Sequence, residues 1–142
     1  MHARWRCAVA TPRTDRRAAR HSALRFGRTA EAACRWRLRL CGWQILARDW
    51  RTPVGEIDII ARRGPVIAFV EVKARADIDA ETAPPAPRQR RRIVRAAELY
   101  LARNPRFGAL CARFDVMLVR PWPSPRFLWP VHHPDAWRES AW

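Results

Sequence analysis

The sequence predicts a single mixed α/β domain ordered helix, three antiparallel strands, helix, strand. Three observations carry this. Ala30, Cys34, Leu38 and Cys41 recur at helical spacing and stop at Gly42. Three extended runs follow, separated by Thr52-Pro53-Val54-Gly55 and by Gly64-Pro65. Ile93, Ala96, Ala97, Tyr100 and Leu101 then form a second apolar stripe, which Asn104-Pro105 ends. A length of 142 residues suits one domain with one core.

The elements run in order. Residues 1–26 are arginine-rich, poor in apolar residues and without a period, so they read as a disordered basic arm. A helix is expected from Thr29. Strands are expected over Trp43–Arg51, Glu56–Arg62 and Val66–Lys73. A proline-rich loop from Ala76 to Pro87 leads into the second helix. The strand Arg113–Arg120 is apolar on both faces apart from Asp115, which places it inside the sheet. Pro121, Pro123 and Pro125 then break the chain. A short edge strand over Arg126–Val131 and a loose end complete the reading. The domain therefore spans 27–120, followed by a tail over 121–142. Trp36, Trp43 and Trp50 are assigned to the core or its edge, and Trp129 and Trp137 to the tail.

The net charge is +15, with 28 Lys and Arg against 13 Asp and Glu. Such a charge opposes compaction and favours a polyanionic partner, nucleic acid before an anionic membrane surface. No apolar run is long enough to span a membrane. The four cysteines form no Cys-x-x-Cys pair, and with the histidines they complete no zinc pattern. Reduced thiols and a cytoplasmic location are the expectation.

Lys73 is the only lysine, and it stands two residues after Glu71 in an otherwise apolar strand. Lysine is a compact ammonium whose pKa moves with burial and nearby charge, so it does not stand in for arginine. Alternation puts Glu56 and Asp58 on one face of the second strand, with Ile57 and Ile59 behind. It likewise pairs Glu71 with Lys73 on the third, with Val70 and Val72 behind. A tight turn at Gly64-Pro65 sets Asp58 opposite Glu71 and Glu56 opposite Lys73. Three carboxylates beside one ammonium call for a second cation. Mg²⁺ (or Mn²⁺) fits, because it takes one or two carboxylates, keeps waters and contacts phosphate. On the second helix, Arg88, Arg91, Arg92 and Arg95 lie away from the apolar stripe, a face suited to a phosphate backbone.

Gly-Glu-Ile-Asp-Ile-Ile-Ala (55–61), Phe-Val-Glu-Val-Lys-Ala-Arg (69–75) and Arg-Phe-Asp-Val (113–116) resemble the YraN family of small bacterial proteins. The resemblance runs from about Gly27 to Val119. It implies a restriction-endonuclease-like fold related to Holliday-junction resolvases. It also implies a metal-dependent endonuclease, with DNA favoured over RNA, branched DNA among the candidates, and a homodimer as one assembly. Asp58 and Glu71 match the metal-binding acids, Lys73 the signature lysine, and Glu31 a helix glutamate near the metal. Glu31 also has a plainer reading, as an acid in a helix's first turn. Arg75, Arg88, Gln89, Arg91, Arg92 and Arg95 are the expected nucleic-acid contacts. Gln89 or an arginine stands in a segment where relatives carry lysine. The alternative is a catalytically silent nucleic-acid-binding or ribosome-associated module with the same fold.

Overall fold

The two turns between Gln44 and Ala74 are too short for anything but hairpins, and they set the first half of the sheet. The computed structural model describes residues 13–74, 84–121 and 124–138, and within them all side chains but those of residues 13–25 and Arg126. The elements are α1 (Arg13–Leu40), β1 (Gln44–Thr52), β2 (Gly55–Arg63), β3 (Val66–Ala74), α2 (Pro87–Arg103), β4 (Cys111–Val119), α3 (Pro125–Leu128) and β5 (Val131–Trp137). They form one five-stranded sheet in the order β1-β2-β3-β4-β5. Only β3 and β4 run parallel, and α2 makes the crossover between them. This is a mixed α/β domain of the restriction-endonuclease-like kind.

Each helix buries its apolar stripe on one face of the sheet. Ala30, Cys34 and Leu38 of α1 pack on Ile59, Val70 and Met117. Ile93, Ala97 and Tyr100 of α2 pack on Ile57, Ile60 and Phe69 from the other side. Pro87 occupies the first turn of α2, where its missing N–H costs nothing. Among the described residues no helix is long and apolar enough to cross a membrane.

Several expectations change. α1 begins at Arg13, well before Thr29, so residues 13–26 belong to a long helix and Glu31 lies in its middle. Residues 1–12 and the outermost 139–142 lie outside the described residues. The edge strand exists but runs over Val131–Trp137, after a short α3 where an extended Arg126–Val131 is expected from the sequence. Trp137 is buried against Phe114, with ring centroids 5.2 Å apart. Trp36, expected near the core, is 64% exposed. Ile57 and Ile59 face opposite sides of the sheet, because each joins a different helix's cluster. The cause sits across the ladder. Asp49 has φ of +47° and stands between the pairs Arg48↔Ile59 and Trp50↔Ile57. That backbone breaks the strict alternation opposite Asp58.

Two contacts hold this frame together. Gly55 lies so close to α2 that a Cβ there would meet the Arg92 carbonyl oxygen at 2.3 Å. Asp115, fully buried in β4, accepts from Arg113 Nε and Nη2, each at 2.8 Å. It is also bonded to His132 Nε2 at 2.7 Å and accepts from the Asp135 N–H at 2.9 Å. Burial alone would raise its pKa, but bonds from His132, Arg113 and Asp135 hold it below the usual carboxylate range. The carboxylate thus clamps β5 onto β4.

Two stability outcomes follow, both measured by urea unfolding. Gly55→Ala is expected to lose about 1–3 kcal/mol as β2 and α2 are pushed apart. Asp115→Ala is expected to lose about 3–5 kcal/mol, because Arg113 and His132 are left without their buried partner.

Candidate functional site

The β2–β3 ladder runs from Arg63↔Val66 to Ile59↔Val70, the expected register. It stops one pair short of Asp58 and Glu71. There the Val72 N–H donates to Asp58 Oδ2 at 2.8 Å instead of to a backbone carbonyl. A side-chain carboxylate thus takes over a position in the ladder. The Asp58 and Glu71 carboxyl groups come within hydrogen-bonding reach of each other.

This pair is electrostatically unfavourable when both members are ionised. Burial, and then the Asp58 charge, push Glu71 up to about 8, against the relief that Lys73 and Gln89 give. Asp58 is also raised, chiefly by burial and by Glu56 and Asp49, while the Val72 N–H opposes the shift. The hydrogen bond between the two raises Glu71 and lowers Asp58, so the shared proton resides on Glu71. From α2, Gln89 Nε2 donates to Glu71 Oε1 at 2.5 Å.

Glu31 belongs here for a reason its sequence position does not supply. It lies mid-helix, where the helix dipole exerts no end effect. Burial, then the charges of Asp58 and Asp49, push it up to about 7, and it hydrogen-bonds Asp49. Asp49 was not anticipated. The only sequence signal was an acid within β1, and its place depends on the positive φ.

The other anticipated residues divide. Lys73 lies on β3 and favours the ionised form of Glu71. Glu56 is exposed and pairs across β1 with Arg51; the described β2–β3 ladder does not set it against Lys73. With Arg88, Gln89, Arg92 and Ile93 it lines an open cleft of about 480 Å³ beside the carboxylates. Arg91 and Arg95 are exposed on α2. Arg75 lies outside the described residues.

Among the described residues no three His, Cys, Asp or Glu side chains converge closely enough to hold an ion alone. The donor set is the Asp58–Glu71 pair. Each carboxylate has one oxygen engaged, by Val72 or Gln89, and a second oxygen for a cation. Two hard oxygen donors with elevated pKa, short of positive charge, fit Mg²⁺ or Mn²⁺ completed by water and phosphate.

Comparison with known proteins bears on the same segments. The model of the uncharacterised protein family UPF0102 matches residues 30–119. The chain belongs to the UPF0102 family, that of the YraN proteins. A UPF0102 protein of Paramagnetospirillum magneticum is 45% identical over 124 residues, 84% of this chain and 92% of that protein. One from Parvibaculum lavamentivorans is 47% identical over 117 residues, 82% and 84% of the two chains. One from Methylocella silvestris is 49% identical over 113 residues, 80% and 87%. The matched segment holds Glu31, Asp49, Asp58, Glu71, Lys73 and Gln89.

The elevated carboxyls have a measurable consequence. A carboxyl with a raised folded pKa binds more protons folded than unfolded between the two values. The contribution of Glu71 is therefore complete below its ordinary 4.5 and lost as pH rises through about 8. Without divalent cations, Tm is expected to fall by several degrees across that window. Glu71→Gln should flatten the fall, and millimolar Mn²⁺ should oppose it at the alkaline end, as read by differential scanning fluorimetry with and without chelator.

Proposed function

We propose that this UPF0102 protein is a metal-dependent phosphodiester hydrolase acting on nucleic acid, DNA in preference to RNA and branched DNA among its substrates. The observation that carries the reading is the buried Asp58–Glu71 pair, held together by the Val72 N–H and flanked by the chain's one lysine. Asp58 and Glu71 would hold Mg²⁺ or Mn²⁺, which when bound polarises a phosphoryl oxygen and acidifies a water. Lys73 orients or helps deprotonate the attacking water, or offsets charge developing on the phosphate. Gln89 holds Glu71 in place from α2. Glu31 and Asp49 add negative charge that strengthens the demand for a cation. Arg88, Arg91, Arg92 and Arg95 supply salt-sensitive phosphate contacts along the open cleft.

A second reading keeps the binding and drops the turnover. Gln89 favours it, since it occupies one oxygen of Glu71 and cannot act as a cation. A silent binding module, one bound to ribosomes included, would depend on the arginine face and be indifferent to Asp58 and Glu71.

The deciding measurement is a cleavage screen over linear, flapped and four-way DNA, and RNA, with Mg²⁺, Mn²⁺ or chelator. Hydrolysis is expected only with metal. Glu71→Ala and Lys73→Ala are each expected to lower it about a hundredfold or more with the fold intact. Cleavage that persists in both variants sinks the assignment. Isothermal titration with Mn²⁺ separates the readings, because the silent module has no need of metal at Asp58. Arg88→Ala with Arg92→Ala is expected to reduce the slope of log K against log salt by about 1 for each phosphate that is no longer neutralised.

A further inference from the structure

Among the described residues the exposed large apolar side chains are Trp36, Leu40, Val54, Leu128 and Trp129. All but Val54 lie on α1 and at α3, which pack against each other. Trp36 is 64% and Trp129 50% exposed. Arg37 joins the two elements. It donates to the Pro130 carbonyl, and its guanidinium lies 5.2 Å from the centre of the Trp129 ring. One face of Trp129 is thereby covered by a cation, and the ring is held in place.

The charge on this face has one sign. Residues 32–48 contain no Asp or Glu, and neither do residues 120–134. Arg37 and Arg39 stand beside Trp36 and Leu40. A second copy of the chain is a poor occupant. A two-fold contact sets each surface against itself, so arginine would meet arginine. A stable dimer also needs about 800 Å² per partner from some 20–30 residues, against four apolar side chains here. The neighbouring strand β5 offers no ready edge, since Pro134 and Asp135, with φ of +53°, interrupt it. A polyanion that also carries flat rings satisfies both features.

We infer that the α1–α3 face is a stacking platform for an unpaired nucleic-acid strand, with bases on Trp36 and Trp129 and phosphates on Arg37 and Arg39. The inference rests on the nucleic-acid part of the function proposed above and names the form of the substrate. Stacking is tolerant of sequence, because every base offers a π-face. The side chains that form the platform have no group to read a 2′-hydroxyl, so DNA and RNA strands bind alike. Glu31 sits on the same helix, about 7.5 Å along the axis from Trp36 and about 140° around it. A strand crossing α1 therefore connects the platform to the carboxylates, as an unpaired arm of a flapped or branched duplex would.

The test is fluorescence anisotropy with labelled oligodeoxythymidylate, oligouridylate and blunt duplex, in chelator so that no hydrolysis occurs. Trp36→Ala and Trp129→Ala are each expected to weaken single-strand binding about tenfold. Duplex binding should stay within about twofold, and Trp→Phe at either position should restore most of the loss. Trp36 is the safer variant for folding, because it is largely in solvent. Unchanged single-strand affinity in Trp36→Ala overturns the inference. So does a dimer, seen in sedimentation, that Trp36→Ala dissociates. Binding is read without metal, so absence of cleavage in the screen above leaves this result standing, and loss of the platform leaves duplex cleavage intact.

Discussion

The candidate site depends on one substitution within a sheet ladder. After Ile59↔Val70, the partner of the Val72 N–H is the Asp58 carboxylate. A buried N–H must have an acceptor, so Asp58 is held where it is. Being held there, it is pressed against Glu71, and two carboxyls in partly buried surroundings cannot both ionise cheaply. The fold therefore carries a local deficit of positive charge that Lys73 reduces and Gln89 tempers. The geometry that satisfies the backbone is the same geometry that calls for a cation.

The rest of the domain keeps that arrangement in place. Gly55 lets β2 start directly against α2, which brings Gln89 within reach of Glu71. α1 lies on the other face and carries Glu31 towards Asp49 and Asp58. At the far side of the sheet, Asp115 ties β5 to β4 through Arg113 and His132. Three acids thus serve three different ends. Asp58 completes a ladder and faces a second acid. Asp115 is matched by cations and stays below the usual range. Glu31 is left with acids for neighbours and rises. Surroundings decide among these outcomes, since the side chains share one chemistry.

The two helices also divide the molecule's surface. α2 presents exposed arginines next to the carboxylates, along an open cleft. α1 presents arginine interleaved with exposed aromatic surface at its C-terminal end. Arginine alone attracts phosphate without regard to strandedness, whereas an exposed indole rewards an unstacked base. A net charge of +15 is therefore not one undifferentiated patch.

Much of this was legible in the sequence. Apolar periodicity, glycine and proline together determined the order of the elements, the interior place of β4 and the β2–β3 register, because those signals are local. The same signals singled out Asp58, Glu71 and Lys73. Only the tertiary structure decided the rest. Where a ladder ends depends on which acceptor outcompetes a backbone carbonyl, and strand alternation does not encode that. Asp49 joins the acids through a left-handed φ that a generic strand pattern gives no warning of. Glu31 changed from an end-of-helix acid to a mid-helix one because α1 extends back to Arg13, where the sequence has no clear period. Trp36 and Trp137 exchanged their expected places because burial of a large ring is set by which distant element packs over it. Sequence writes the local preferences of each segment; convergence of segments far apart in the chain is settled by packing.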